Sequence, residues 1–314
     1  MSVKIAEEWL ACCGGCEVTI LDIGEPLLDL LPKLEFVHIP VLADHKYFGQ
    51  TGEKDKLEIP EADVGIISGG IRNEEHKEIT TEMRNKCKTL IALGSCACFG
   101  GIPALANQFQ LQELYDKVYR GSVSTDSADT PNQDIPPLLD RVYAVDEVVK
   151  VDVYIPGCPT APQIIALALT SLLEGKPFAL PERSVCDDCP VKREKKALVS
   201  IKRPLESMLD LEKEELVGSR CFMEKGFLCL GPVTKTGCYM TSGEEQPHIP
   251  RCIKGLMPCR GCFGPIRKDA NPMVDMMGAI SSIGLNAQEI PDRAATFNRY
   301  VGAQGRLRPI PKKN

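Results

Sequence analysis

Residues 89–101 read Thr-Leu-Ile-Ala-Leu-Gly-Ser-Cys-Ala-Cys-Phe-Gly-Gly, an apolar strand that runs directly into a turn of cysteine and glycine. Two other segments have the same design. Val3–Leu10 predicts a strand with polar interruptions and precedes Cys12-Cys-Gly-Gly-Cys16, and Val151–Ile155 predicts a strand that precedes Pro-Gly-Cys158-Pro. Open α/β sheets bind their ligands at the carboxyl ends of the strands. We therefore expect the three segments to bring thiols to one edge of one sheet.

Helical patterns separate these strands along the first half of the chain. Apolar spacing predicts further strands over Glu35–Leu42 and Ala62–Ser68, helices over Val18–Leu34, Asn73–Lys86 and Gln163–Leu173, and a helical patch around Leu111–Val118. Strands that alternate with helices indicate an α/β fold, a parallel sheet wound on both faces. The Ser-, Thr-, Asp- and Pro-rich segment Arg120–Pro137 is predicted to be a long surface loop.

Composition excludes several classes of function. The 314 residues include 37 Lys and Arg against 43 Asp and Glu, a formal net charge of −6, which argues against nucleic-acid binding and against a polybasic membrane surface. No apolar run approaches the ~18 residues of a membrane span. Fifteen cysteines without a secretory pattern indicate metal ligands in a reducing, cytoplasmic setting rather than a disulfide framework. The length predicts about two domains.

Four thiols of the first half are predicted to form one site. Cys13, Cys16, Cys96 and Cys158 follow the three strands, and the glycines beside them let the backbone approach a bulky ligand. Such four-thiolate sites hold 4Fe–4S clusters, whose potentials are tuned by N–H donors. The remaining thiols of this half, Cys12, Cys87 and Cys98, are better explained as buried apolar residues.

The pattern changes between Lys176 and Ser184. From there to Pro265 periodicity fades, and cysteine, glycine and proline recur every few residues. We expect such a segment to have too little apolar core to fold by burial alone, so that metal ligation holds it together. Eight cysteines supply two more four-thiolate sites, but their spacing suits structural zinc as well as iron–sulfur clusters.

Other chemistries are not indicated. The four histidines (His38, His45, His76 and His248) are scattered, and each is expected to be a surface or hydrogen-bonded core residue. No phosphate loop and no dinucleotide fingerprint is present. Two interpretations of Glu17, which follows Cys16, stay open: a proton relay, or a hydrogen-bonded carboxylate at the start of a helix.

The three cysteine motifs resemble those of the small subunit of nickel–iron hydrogenases. The matching residues are Cys13-Gly-Gly-Cys16, Gly94-Ser-Cys96-Ala with Gly100-Gly101, and Pro156-Gly-Cys158-Pro159. They stand in the family order, and the likeness covers nearly the whole chain. It implies a flavodoxin-like doubly wound sheet over residues 1–178 with a proximal cluster, and an irregular cysteine-rich iron–sulfur domain over residues 179–314 with medial and distal clusters.

The resemblance also implies a ligand set for each of three 4Fe–4S clusters. By order along the chain, the ligands are Cys13, Cys16, Cys96 and Cys158 for the proximal cluster, Cys238, Cys252, Cys259 and Cys262 for the medial cluster, and Cys186, Cys189, Cys221 and Cys229 for the distal cluster. Many family members have a histidine where Cys186 stands, and many have three medial cysteines and a 3Fe–4S cluster. Here Cys252 offers a fourth medial thiol. The long gap between Cys221 and Cys229 leaves another partition of the eight open.

Two stretches are most similar to the viologen-reducing, deazaflavin-independent hydrogenases of methanogens. They are the Cys12–Glu17 segment and the run Gly70-Ile-Arg-Asn-Glu-Glu75. The resemblance implies a cytoplasmic oxidoreductase subunit that relays electrons from dihydrogen oxidation on a separate large subunit. The electrons pass to a 2Fe–2S adaptor and a heterodisulfide reductase complex.

Two alternatives remain for the sequence. One is a zinc-stapled interaction protein without redox function. The other is a respiratory-complex-type iron–sulfur subunit, suggested by the adjacent pair Cys12-Cys13. Such subunits resemble the first half of the chain but lack the eight-cysteine extension.

Overall fold

The computed structural model describes residues 2–49, 51–197, 199–202, 219–240 and 248–309. Two compact units divide between Pro177 and Phe178. The first comprises the residues up to 177 together with those from 300 onward, and the second comprises residues 178–299. Within the described ranges, no helix is both long enough and apolar enough to cross a membrane.

The first unit is an α/β structure. Its strands are β1 (Val3–Trp9), β2 (Leu34–His38), β3 (Ala62–Ser68), β4 (Ile71–Asn73), β5 (Cys87–Leu93), β6 (Leu138–Tyr143) and β7 (Val153–Ile155). Its helices are α1 (Gly15–Leu21), α2 (Glu25–Leu30), α3 (Glu74–Lys86), α4 (Gly94–Phe99), α5 (Leu111–Tyr115) and α6 (Pro162–Leu173).

In the described part of the chain, five strands form a parallel sheet in the order β2-β1-β3-β5-β7. This is the flavodoxin-like strand order, in which the chain reverses direction of growth between β1 and β3. Helices cover both faces, since Ile79 and Met83 of α3 pack with Ala6 and Ile67 on one side, and α1 packs against α6 on the other. The α/β fold predicted from the sequence is therefore confirmed.

In this unit one local prediction is wrong and one sheet was missed. The helix predicted over Val18–Leu34 is broken into α1 and α2, because Gly24 has φ 71° and Pro26 lies in the first turn of α2. The second sheet was not predicted: β4 pairs with β6 in antiparallel register, from Ile71 opposite Tyr143. The loop Arg120–Pro137 is confirmed beyond its first residue, which closes a π-helical turn (Asp116–Arg120).

The second unit has helices α7 (Arg251–Lys254), α8 (Pro272–Ile283) and α9 (Arg293–Phe297) among irregular segments. Helix α8 begins at the cap residue Asn271, whose side chain accepts from the backbone of Met273 and Val274, and it ends at Gly284. Its buried face joins apolar residues that lie far apart in the sequence. They are Val185, Phe222, Met223, Phe227, Leu230, Ile253, Met276, Ile280 and Ile283, among others. This corrects the expectation of a segment with little core of its own.

Candidate metal centres

The carboxyl edge of the large sheet carries the first group of thiols. Cys13 and Cys16 lie in the turn after β1 and at the start of α1, Cys96 lies in α4 directly after β5, and Cys158 follows β7. The backbone N–H of Ser95 donates to Gly157 O at 2.8 Å, which ties the turns of Cys96 and Cys158 together. Cys13 and Cys158 are exposed, while Cys16 is buried. The parallel register of the sheet thus brings the three cysteine segments to one edge, and the choice of these four thiols as one ligand set stays a prediction.

These thiols interact electrostatically. Burial, and then neighbouring Cys158, Cys12 and Cys13, raise the pKa of Cys96 to about 12. Burial likewise raises the pKa of Cys16, with contributions from Glu17, Cys12 and Cys96, and it raises that of Cys158, with a contribution from Cys13. Ionised thiols this close would repel one another. Iron ligation requires the thiolates, so cations bound among them would offset both repulsion and burial, and protons would be released on binding.

Glycine backbones line this group where a side chain would collide with sulfur. A Cβ on Gly94 (φ +81°) would lie 2.4 Å from Cys16 Sγ, and one on Gly101 (φ +54°) would lie 2.5 Å from Cys96 Sγ. Both glycines therefore leave space for sulfur and accept backbone angles that other residues rarely adopt.

The three remaining thiols of the first unit differ from one another. Cys98 is fully buried in the core, and its Sγ donates to Ala92 O at 3.3 Å. Cys87 is buried at the start of β5, and its pKa is raised by burial to about 11. Cys12 lies next to the first group, with its Sγ 3.5 Å from the hydroxyl of Ser68. Cys87 and Cys98 are buried thiols as predicted, whereas Cys12 is half-buried.

The second unit contains a group formed by Cys186, Cys189, Cys221 and Cys229. Burial, then the neighbours Cys189 and Cys221, raise the pKa of Cys186 to about 12. Burial raises that of Cys229 to about 12, with contributions from Cys186 and Cys221. The backbone explains the proximity, because Cys221 N–H donates to Lys192 O at 2.8 Å and so holds Cys221 near the segment after Cys189.

A further group is formed by Cys238, Cys252, Cys259 and Cys262. Burial raises the pKa of Cys238, with a contribution from Cys252. Burial also raises the pKa of Cys259, with contributions from Cys229, Cys262 and Cys252. The two groups of this unit meet where Cys259 N–H donates to Cys229 Sγ at 3.2 Å. Because Cys259 neighbours Cys229 as well as Cys262 and Cys252, the thiols of this unit lie close together, and their division into two sets of four stays a prediction.

Backbone N–H groups point at many of these sulfurs. In five cases the donor is the N–H of the residue two positions after the cysteine, and this hydrogen bond lowers the pKa of the thiol. The pairs are Cys12 with Gly14, Cys189 with Val191, Cys221 with Met223, Cys229 with Gly231 and Cys259 with Gly261. N–H donors to sulfur stabilise thiolates and tune the potentials of iron–sulfur clusters.

The residues present fit iron–sulfur clusters by donor chemistry and by the space that glycine leaves. Each group offers four thiols. Gly231, like Gly94, leaves space beside a sulfur, since a Cβ there would lie 3.2 Å from Cys186 Sγ. Among the residues that the structure describes, no three His, Cys, Asp or Glu side chains are arranged to hold a single metal ion.

Sequence reasoning missed a buried carboxyl network beside the first group. Glu17 is 2% exposed, and the hydroxyl of Ser68 donates to its Oε1. Glu7, fully buried on β1, lies against it. The only signal in the sequence was the pair Glu7-Glu8 inside a predicted strand, which the polar interruptions of β1 concealed. As expected, His38 is a hydrogen-bonded core residue, with its Nε2 2.5 Å from Glu8 Oε1.

Comparison with known proteins identifies the family. The family model described as "NADH ubiquinone oxidoreductase, 20 Kd subunit" matches residues 13–172. One subunit of the F420-non-reducing hydrogenase vhu of Methanocaldococcus jannaschii is 38% identical over 302 residues, covering 96% of this chain and 95% of the relative. The chain belongs to the nickel–iron hydrogenase small subunits.

Two further relatives support this membership. The corresponding polypeptide of the F420-non-reducing hydrogenase of Methanothermobacter thermautotrophicus is 36% identical, covering 89% of this chain and 84% of the relative. A crystal structure of an NAD+-reducing [NiFe]-hydrogenase in the H2-reduced state aligns with a TM-score of 0.51 at 32% identity, covering 58% of this chain and 96% of that chain. The chain is thus an oxidoreductase subunit that carries electrons, and the catalytic chemistry lies elsewhere in the complex.

The comparisons also separate the respiratory-type interpretation from the hydrogenase one. The NADH-oxidoreductase family model ends at residue 172, before the first cysteine of the second unit. The M. jannaschii relative instead covers nearly the whole chain.

Proposed function

We propose that this chain is the electron relay of a nickel–iron hydrogenase and holds three 4Fe–4S clusters. The observation that carries the proposal is the proximity of cysteines from separate segments, such as Cys96 with Cys158 and Cys13, Cys186 with Cys189 and Cys221, and Cys259 with Cys262 and Cys252. Bound clusters would supply one-electron transfer. The proximal set is Cys13, Cys16, Cys96 and Cys158, the distal set is Cys186, Cys189, Cys221 and Cys229, and the medial set is Cys238, Cys252, Cys259 and Cys262.

In this proposal the chain's residues bind the clusters and tune their potentials, and they form no bonds with a substrate. The thiolates neutralise iron charge, and the backbone N–H donors hold each sulfur in place. The contact between Cys259 N–H and Cys229 Sγ supports passage of electrons between the medial and distal sets, because it brings one ligand of each into direct contact.

The partners in the proposal are a large subunit that oxidises dihydrogen, a 2Fe–2S adaptor and a heterodisulfide reductase complex. The large subunit is supported by membership in the family, and the other two by likeness to the F420-non-reducing hydrogenases of methanogens. A cytoplasmic location is proposed with them, since fifteen free thiols suit a reducing compartment.

An affinity tag on this chain in its native host tests the partners. Anaerobic purification should recover a nickel-containing large subunit in equal amount, together with dihydrogen-dependent reduction of a viologen dye. Recovery of the chain without nickel and without that activity would contradict the proposed relay.

Cys252→Ala tests the medial set. Three thiolates tend to lose one corner of the cubane, so we expect about one iron fewer per chain and a new paramagnetic signal of a 3Fe–4S cluster in the oxidised protein. The medial potential should rise, because cluster type and net charge set it.

Cys87→Ala is the matched control, since Cys87 is a buried thiol outside the three sets. It should keep the full iron content. Unchanged iron and no new signal in Cys252→Ala would remove Cys252 from the ligands and require another partition of the eight cysteines.

A further inference from the structure

Glu7 is a buried acid in the middle of the large sheet. It lies on β1, which has β2 on one side and β3 on the other, and it is 0% exposed. Neither of its oxygens meets a hydrogen-bond donor among the described residues, and the same is true of Oε2 of the neighbouring Glu17. An ionised carboxylate in such a place is costly, because it is shielded from bulk water and its charged neighbours are acidic.

The titratable groups around Glu7 are acidic or neutral. Burial, then repulsion from Glu17 on α1 and Glu8 on its own strand, and a hydrogen bond shared with Glu17 raise the pKa of Glu7 to about 9. Cys16 is the other titratable residue of α1, and α6, which packs against α1, contains none. On β3, Ser68 contributes a hydroxyl that donates to Glu17. The two acidic neighbours, Glu17 and Glu8, both favour the neutral acid at Glu7.

Glu8, the next residue on β1, is a buried carboxylate that has hydrogen-bond partners. Because side chains alternate along a strand, Glu8 points to the opposite face of the sheet. There the hydroxyl of Tyr47 donates to its Oε2 at 2.8 Å, and His38 Nε2 lies 2.5 Å from its Oε1. Adjacent glutamates therefore have opposite surroundings.

We propose that Glu7 is a positioning residue that holds a proton at neutral pH and donates it in a hydrogen bond to Glu17, behind the proximal thiols. Ser68 holds the other oxygen of Glu17, so the two donors fix that carboxyl beside Cys16. The neutral acid also removes one negative charge from the surroundings of the cluster. This inference rests on the proposed proximal site.

Infrared spectroscopy of Glu7→Gln tests the proton directly. Glutamine keeps the shape of the neutral acid, so the variant should fold. The wild-type-minus-variant spectrum at pH 7 should contain the C=O stretch of a protonated carboxyl, and the band should disappear as pH rises through about 9. Glu8→Gln is the control. It should retain the absorption of the protonated carboxyl, so the band should be absent from its wild-type-minus-variant spectrum. A difference spectrum for Glu7→Gln without it would overturn the inference.

The proximal potential supplies an independent readout. When Glu7 loses its proton to solvent, a negative charge appears behind the cluster and lowers the potential. In the wild type and in Glu8→Gln, the potential should fall as pH rises through about 9, while in Glu7→Gln it should stay level. Equal pH slopes in the wild type and Glu7→Gln would assign the effect to another group and overturn the inference.

Stability gives the third readout, and its sign follows from the raised pKa. Unfolding releases the proton of Glu7 at any pH between the ordinary glutamate pKa of 4.5 and about 9, so stability is lost across that window as pH rises. Glu7→Gln should therefore be more resistant to urea than the wild type at pH 7, with the difference vanishing below about pH 4.5. A protonated Glu7 in a protein without iron–sulfur signals would count against the proposed cluster and not against this state of Glu7.

Discussion

Cys96→Ala should lose the proximal cluster, and iron should fall from about twelve to about eight atoms per chain. Cys96 lies in α4 directly after β5 and interacts with Cys158 and Cys13, so its removal opens the group between the three strand ends. Dihydrogen-dependent dye reduction should fall by more than about 100-fold, since loss of an outer-shell partner alone costs about 10- to 100-fold at metal sites. Iron analysis and the dye assay measure both effects.

Cys98→Ala is the matched control, two residues away on the same helix. Cys98 is buried in the core with its Sγ on Ala92 O. Its truncation should lower the free energy of unfolding by about 1 kcal/mol, the scale of a small core deletion, and leave iron unchanged. Equal iron loss from both variants would mean that the wrong sulfur of Gly-Ser-Cys-Ala-Cys has been assigned.

Gly94→Ala should also abolish the proximal cluster, although it removes no ligand. The new Cβ would lie 2.4 Å from Cys16 Sγ, and Cys16 is buried and, as a proposed ligand, would not be free to move away. About four irons should be lost, with a similar fall in dye reduction. Iron content of the anaerobically purified variant checks this.

Gly24→Ala separates this collision from backbone strain. Gly24 also has a positive φ, of +71°, but a Cβ there has nothing within 4 Å. Its replacement should cost about 1–3 kcal/mol of stability and leave iron intact. Full iron in Gly94→Ala would contradict the proposed role of Cys16 as a ligand.

The sheet edge could be predicted because its signals are local. The apolar run of β5 is followed directly by Gly94-Ser-Cys96, which shows at which end of the strand the thiol lies. Parallel strands bring such ends together. The break between α1 and α2 was signalled by Gly24 and Pro26, but the leucine spacing across them obscured it.

Contacts between residues far apart in the sequence could not be predicted from local patterns. Strand β4 has three residues, and it pairs with β6 more than sixty positions later. The core of the second unit likewise joins Phe222 to Met276 without any local periodicity. The protonation of Glu7 depends on Glu17 across a helix–sheet contact, which no pattern within β1 contains.

Metal analysis of the anaerobically purified chain tests the central claim most directly. Three four-thiol sets predict about twelve irons, an equal amount of acid-labile sulfide and little zinc. About two or three zinc ions per chain with little iron would contradict the electron relay and favour a zinc-stapled protein.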